Sequence, residues 1–125
     1  MHIQFVELPV TDQDRAKAFY MEKLGCALVA DAALPSSDGW RWIELGLEGA
    51  QSNLHFHRRG HTTPSEAEPD MVFVTDDVPG TVEAPRRKGV EIISEPMLAS
   101  WDGNRTVAEF RDSEGNRMVL ASSPG

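Results

Sequence analysis

The sequence is poor in the features that mark secreted, membrane-bound or disulfide-stabilised proteins. It contains a single cysteine, Cys26, which cannot form an internal disulfide. No apolar run approaches the roughly 20 residues that a membrane-spanning helix requires. No basic and then apolar segment at the N-terminus has the pattern of a secretory signal. We therefore expect a protein of the reducing cytoplasm that has no contact with membranes.

Basic residues are also scarce, because 12 Lys and Arg stand against 20 Asp and Glu and give a formal net charge of −8. Such a charge repels a phosphate backbone, and the short basic cluster Arg86 to Lys88 is typical of a solvated surface. We therefore expect no nucleic-acid partner. The same charge favours a cationic or neutral small-molecule ligand over an anionic one.

What the sequence does contain is an internal repeat. Asp12 and Asp76 lie 64 positions apart, and Gly25 and Gly89 are separated by the same 64 positions. The first residue of each pair is suited to cap a helix and the second to end one, and both recur at the same offset. This indicates two copies of one structural unit.

Each copy has the pattern of a strand, a helix and three further strands. The apolar run Phe5 to Val10 precedes Asp12, and apolar residues then recur at helical spacing as far as Gly25. In the second copy we expect the helix from about Gly80 to Lys88, with Pro85 either in its first turn or kinking it. The fold class is therefore α+β, with two tandem βαβββ modules.

The other strands follow from β-branched and aromatic runs between glycine turns. They are expected near 27–31, 40–47 and 52–58 in the first copy and near 90–94, 105–111 and 117–121 in the second. We predict one domain, 1–125, made of a first module at 1–58, a linker at 59–69 and a second module at 70–123.

Two motifs at matching places in the copies carry a family resemblance. The first runs from Phe5 to Asp12 and continues into Phe19-Tyr20 and Leu24-Gly25, and the second runs from Trp101 through Asp112 to Gly115-Asn116. Together they resemble the vicinal oxygen chelate superfamily, which includes glyoxalases, bleomycin-resistance proteins and extradiol dioxygenases. The resemblance implies curved sheets that enclose a cleft, a glyoxalase/bleomycin-resistance-like fold and a homodimer.

The resemblance also implies where a metal would be bound in metal-dependent relatives. The ligand places on the opening strands correspond to Phe5 in the first copy and to Pro69 or Asp70 in the second. The closing-strand place of the second copy corresponds to Val119. Because a metal site needs three or more converging donors, we predict that the metal has been lost and that no cofactor is bound.

The closing strand of the first copy is the exception, since it offers His55 or His57, depending on the length of a turn. Residues two apart on a strand point to the same face, so both histidines and Asn53 form one polar stripe. The stripe either lines the cleft or faces solvent. A metal site of His55, His57 and a third donor, such as His61 of the linker, is the less favoured alternative.

Tryptophans and paired carboxylates complete the predicted ligand site. Aromatic faces stack on planar ligands and attract cations. We expect one of Trp40 and Trp42 to be a core residue, whereas no core pattern explains Trp101, which lies in a polar loop. The predicted ligand-binding residues are Trp42, Glu44, His55, His57, Trp101, Arg105 and Glu109.

The carboxylates Glu44 and Glu109 occupy equivalent places in the two copies, and either could face the cleft or solvent. Arg105 and Arg111 flank Glu109 on its strand, so an ion-pair ladder within that strand is expected. Catalytic residues are not identified. For Cys26, which follows Gly25 beside apolar residues, we expect a buried and inert thiol.

Two classes of function remain open. In the first, the chain is a metal-free binding protein that sequesters a planar or cationic compound, as the resemblance to antibiotic-resistance proteins implies. In the second, it is an enzyme, either a lyase, isomerase or dioxygenase-like member of the superfamily that uses Glu or His residues of the cleft, or one that uses a displaced divalent metal.

Overall fold

The computed structural model describes residues 1–35, 38–60 and 68–124. The chain divides into two compact units, Met1–Thr62 and Thr63–Gly125. Each unit has the β-α-β-β-β order that the repeat predicts. Most of the expected linker, including His61, lies outside the described residues.

The first unit is built on one four-stranded sheet. In this sheet β1 pairs with β4 in parallel, and β3 lies antiparallel between β4 and β2, which gives the strand order β1-β4-β3-β2. The elements are β1 (Phe5–Val10), α1 (Gln13–Lys23), β2 (Ala27–Ala33), β3 (Arg41–Gly46) and β4 (Asn53–Arg58).

Helix α1 begins and ends where the sequence predicts. The Asp12 side chain accepts a hydrogen bond from the Arg15 backbone N–H at 3.0 Å, which satisfies a donor of the first turn. After the helix, Gly25 adopts a φ of 76°, a left-handed conformation that glycine tolerates best. Both signals flank α1 and act on its terminal backbone groups, so they can be identified from the local sequence.

The core of the first unit lies between α1 and one face of the sheet. Alternate residues of β1, β3 and β4 point to this face, as the twofold repeat of a strand requires. Tyr20 of α1 is fully buried, and its ring lies 6.0 Å from the ring of Phe56 on β4. The buried strand residues of this face are Leu8, Val10, Ile43, Leu45, Leu54 and Phe56. The residues between them therefore point to the opposite face.

The second unit repeats the topology, with strand order β5-β8-β7-β6 and a parallel β5–β8 pair. Strand β6 continues to Leu98, beyond the predicted end at Ser94. The elements are β5 (Met71–Val74), α2 (Val78–Arg87), β6 (Ile92–Leu98), β7 (Thr106–Arg111) and β8 (Arg117–Ala121).

The predicted start of α2 is wrong by two residues. The helix begins at Val78 rather than Gly80, and Asp77, not Asp76, caps it by accepting a hydrogen bond from the Gly80 N–H at 3.1 Å. Two consecutive aspartates offer alternative caps, and local sequence cannot choose between them. Pro85 lies inside the helix and not in its first turn.

The closing turn of the second unit is held by a buried aspartate. Asp112 accepts hydrogen bonds from the backbone N–H groups of Glu114 and Asn116, at 2.9 and 2.8 Å, through one carboxylate oxygen. The other oxygen accepts from the Asn116 side-chain amide at 3.0 Å. Gly115 has a φ of 80°, which closes the turn between β7 and β8.

The expectation of a buried thiol at Cys26 is confirmed. Cys26 is 5% exposed, and its backbone N–H donates to the Tyr20 carbonyl at 3.0 Å. Burial disfavours the charged thiolate and raises the pKa of the thiol to about 11.

We expect the folded protein to react with Ellman's reagent at pH 8 at least about 100 times more slowly than the unfolded chain, because the thiolate is the reactive form. The release of thionitrobenzoate, measured with and without guanidinium chloride, checks this expectation. A rate in the native protein equal to that of the unfolded chain would contradict the burial of Cys26.

Candidate functional site

The face of the first sheet opposite α1 carries an aromatic and polar cluster. We call it the ring face and define it by seven side chains. They are Phe5 and Glu7 on β1, Trp42 and Glu44 on β3, and Asn53, His55 and His57 on β4. Glu7 on β1 lies opposite His55 on one side, and Glu44 on β3 lies opposite it on the other. The side chains of the three strands therefore lie together.

Three aromatic rings of the ring face contact one another. The His55 ring centroid lies 4.1 Å from the centroid of Trp42 and 4.7 Å from that of Phe5. Phe5 and Trp42 meet edge to face, with their centroids 5.5 Å apart. Trp40 and Trp42 are both half-buried and neither belongs to the buried core, so the expectation that one of them is a core residue is wrong. The three rings form an aromatic wall on a polar face.

Glu44 places a buried carboxylate next to this wall. The residue is 4% exposed, and one carboxylate oxygen accepts from the Asn53 amide at 2.6 Å. The other oxygen accepts a long hydrogen bond, 3.4 Å, from the Trp42 indole N–H. In the described part of the chain, both partners of this carboxylate are neutral. A buried carboxylate is costly unless a cation or several strong donors compensate its charge.

His55 and His57 share one carboxylate, that of Glu7. The distances are 3.1 Å from His55 Nδ1 to Glu7 Oε1 and 3.2 Å from His57 Nδ1 to Glu7 Oε2. His55 is 7% exposed, and its Nε2 atom has no hydrogen-bond partner among the described residues. Glu7 and His57 are about half exposed. One imidazole nitrogen is therefore oriented by a carboxylate and the other remains unsatisfied.

The register of β3 with β4 decides whether His55 or His57 occupies the ligand position that the family resemblance implies on the closing strand. Glu44 lies opposite His55, just as Glu109 lies opposite Val119 in the second unit. His55 is thus the counterpart of Val119. The sequence left this choice open because it depends on the length of the turn between β3 and β4.

The three predicted ligand residues of the second unit have separate surroundings. Trp101 is 60% exposed in the loop between β6 and β7, which agrees with its prediction as a residue outside the core. Arg105 Nε donates to the Ser122 carbonyl at 2.9 Å. Glu109 forms an ion pair with Arg117 on the neighbouring strand β8, at 2.5 Å, a partner that the predicted ladder within β7 did not include.

An open cavity of about 650 Å³ in the first unit lies apart from the ring face and shares none of its residues. Its charged side chains largely compensate one another. Arg41 bonds to Asp14 and to Asp31. The hydrogen bonds from Arg41 and from Lys17 lower the pKa of Asp31. The Arg58 guanidinium lies 4.8 Å from the Trp40 ring. The lining residues are Thr11, Asp12, Gln13, Asp14, Arg15, Asp38, Gly39, Trp40, Arg41, Arg58 and Arg59.

Sequence reasoning missed Glu7 and the packing of Phe5 on Trp42 and His55. Both lie on β1, and they reach the ring face because β1 pairs in parallel with β4, a strand far along the chain. The alternation of β1 indicates that the two residues share a face with Pro9, but the register with β4 is a tertiary feature.

The comparisons with known proteins agree with this fold. The model of the Glyoxalase/Bleomycin resistance protein/Dioxygenase superfamily matches residues 2–120, and the chain belongs to this superfamily. The Bacillus subtilis (strain 168) protein YetH is 33% identical over 116 residues, which are 92% of this chain and 92% of YetH.

Two solved structures show the same architecture. TnmS3, described as an antibiotic binding protein from Streptomyces sp. CB03234, has a TM-score of 0.78 at 31% identity and covers 98% of this chain and 95% of its own. UcmS2 has a TM-score of 0.79 at 28% identity, with 98% of each chain covered. Among the described residues, no helix is long and apolar enough to span a membrane.

The metal arrangement of the superfamily's metal-dependent members does not fit these residues. Phe5 places an apolar ring at the opening-strand position, where it packs on His55 and Trp42. Val119, at the closing-strand position of the second unit, is 2% exposed in an apolar cluster with Ala99, Val107 and Ala121. Neither position offers a donor atom, so we derive no step through a metal.

Proposed function

We propose that the chain binds a planar, cationic small molecule against the ring face and sequesters it without a metal. The observation that carries the proposal is the buried Glu44 carboxylate, whose partners in the described structure are the neutral Trp42 and Asn53. A bound cation would supply the counter-charge that this carboxylate lacks.

The aromatic wall supports a planar ligand in the same place. A flat cation stacked on Trp42 or Phe5 gains both apolar contact and attraction to the ring's negative face, worth about 0.5–2 kcal/mol for each ring. His55 belongs to the same wall, at 4.1 Å from Trp42 by ring centroids. The net charge of −8 adds a general attraction for cations.

The relatives support sequestration rather than a particular ligand. TnmS3 is described as an antibiotic binding protein, and we propose a corresponding role in antibiotic resistance for this chain. The proposal includes a cytoplasmic location and a homodimer. A role of Trp101, Arg105 and Glu109 in ligand binding stays a prediction. The ring face itself is formed within the first unit alone.

Replacing Glu44 by glutamine tests the proposal, because Glu44→Gln removes the charge and keeps the shape. We expect the wild type to bind proflavine, a planar cation, and the variant to bind it about 10- to 100-fold more weakly, as for the loss of a charge-assisted hydrogen bond. The affinity for acridone, a neutral planar molecule, should change little. Isothermal titration calorimetry measures both ligands, with tryptophan fluorescence as a second signal.

The matched control is Glu48→Gln, which makes the same charge change at an exposed position outside the ring face. Its affinity for proflavine should equal that of the wild type within about twofold, as expected for a screened surface charge. Equal affinity of Glu44→Gln and the wild type would contradict the proposal, as would a wild type that binds neither compound.

A second candidate function is metal-free proton transfer, favoured by the contact between Glu7 and His55. A carboxylate that orients one imidazole nitrogen leaves the other available as a general base. Recovery of a bound compound unchanged after prolonged incubation, checked by chromatography, would favour sequestration. Conversion that is lost in His55→Phe would favour catalysis.

A further inference from the structure

We infer that the ring face selects ligands that carry a hydrogen-bond donor, such as an aromatic amine or a phenol, and that His55 Nε2 is the acceptor. This inference rests on the proposed function and specifies the ligand class for the same face. Glu7 acts as a positioning residue, because its carboxylate determines which nitrogen of His55 carries the proton.

The tautomer follows from the contacts of Glu7. An ionised carboxylate can only accept hydrogen bonds, so the 3.1 Å contact between Glu7 Oε1 and His55 Nδ1 requires the proton on Nδ1. In neutral His55, Nε2 then carries a lone pair and acts as an acceptor. His57 cannot compete for the same oxygen, since its Nδ1 lies 3.2 Å from the other oxygen, Oε2.

The unsatisfied Nε2 atom favours the binding of a ligand that donates a hydrogen bond to it. Less than 1 Å² of this atom is exposed, so neither bulk water nor a described side chain satisfies it. A buried acceptor without a partner costs about 1–3 kcal/mol, which a ligand N–H or O–H would recover. The Phe5 and Trp42 rings contact His55, so a ligand stacked on them lies beside the His55 ring.

The other polar groups of the ring face use most of their donors within the face. The Asn53 amide and the Trp42 indole N–H both donate to Glu44. Both histidines direct Nδ1 at Glu7. A ligand that offers only acceptors therefore finds most donors of the face already engaged, with the second N–H of the Asn53 amide left, whereas a ligand with donors meets carboxylate oxygens and Nε2.

A matched pair of planar cations tests the inference. Both dyes are cations through a protonated ring nitrogen, and proflavine also carries two amino groups with N–H donors. In acridine orange those amino groups are fully methylated, so only the ring N–H remains as a donor. We expect the wild type to prefer proflavine, and His55→Phe to weaken proflavine binding about 3- to 10-fold without weakening acridine orange, as for the loss of one hydrogen bond. Phenylalanine keeps a ring between Phe5 and Trp42 and removes the acceptor.

Two outcomes separate this inference from the proposed function. Failure of the wild type to bind either dye would overturn both. Binding of both dyes with the same preference in the wild type and in His55→Phe would overturn only the inference, because that preference would then come from the size of the methyl groups. The control His2→Phe, at an exposed position outside the ring face, should keep the wild-type preference.

The tautomer is measured directly in the unliganded protein, which keeps the inference testable if His55→Phe does not fold. Long-range ¹H–¹⁵N spectra of the wild type at pH 8 should show His55 with its proton on Nδ1. In Glu7→Gln the side-chain amide can either accept from Nδ1 or donate to it, so both tautomers should appear and the preference for proflavine should fall. A wild-type His55 with its proton on Nε2 would overturn the inference.

Discussion

Replacing Asp112 by alanine is expected to lower the free energy of unfolding by about 3 kcal/mol, because three buried donors lose their acceptor at once. These donors are the backbone N–H groups of Glu114 and Asn116 and the Asn116 side-chain amide. Asn116 is fully buried, so water cannot replace the lost carboxylate without a change in the turn. Urea denaturation followed by circular dichroism measures the effect.

The matched control for this change is Asp102→Ala. Asp102 also accepts a backbone N–H, that of Asn104 at 3.0 Å, but in an exposed loop of the same unit. Its loss should cost under about 1 kcal/mol, since water satisfies the released donor. Equal effects of the two substitutions would show that burial of the Asp112 network contributes nothing to stability.

Replacing Phe56 by alanine is expected to lower the free energy of unfolding by at least as much as Asp112→Ala does. Phe56 is fully buried between β4 and α1 and packs on Tyr20, so Phe56→Ala leaves a cavity and should cost about 3–5 kcal/mol. The neighbouring substitution His57→Ala serves as the control, because His57 points to the opposite face and its side chain is 45% exposed. That change should lower the unfolding free energy by less than about 1 kcal/mol.

Thermal or chemical denaturation of both variants checks this second prediction. The contrast between adjacent residues depends on the alternation of β4, in which Leu54 and Phe56 face the helix and His55 and His57 face away. A destabilisation by His57→Ala equal to that by Phe56→Ala would place both side chains in the core and remove His57 from the ring face.

Local signals in the sequence predicted the elements correctly where they acted within a few residues. Asp12 and Gly25 bracket α1 because a side-chain cap and a left-handed glycine are properties of neighbouring backbone groups. The same reasoning misplaced the start of α2, since Asp76 and Asp77 can both cap a helix and the chain uses Asp77.

The candidate site was predicted in part. Trp42, Glu44, His55 and His57 were correctly assigned to strands, and the structure brings them together on one face with Asn53. Their role in binding stays a prediction. Side-chain alternation depends only on the strand's own backbone, so it can be inferred from sequence.

What the sequence by itself determined is the class of fold and the strands and first helix of the repeated unit, because turns, caps and apolar periodicity are local. What only the tertiary structure decided is which residues meet. The parallel register of β1 with β4 places Glu7 opposite His55, and the antiparallel register of β3 with β4 places Glu44 there from the other side. Register between strands distant in sequence depends on packing of the whole sheet, so neither the oriented imidazole nor the buried carboxylate could be inferred from residue patterns.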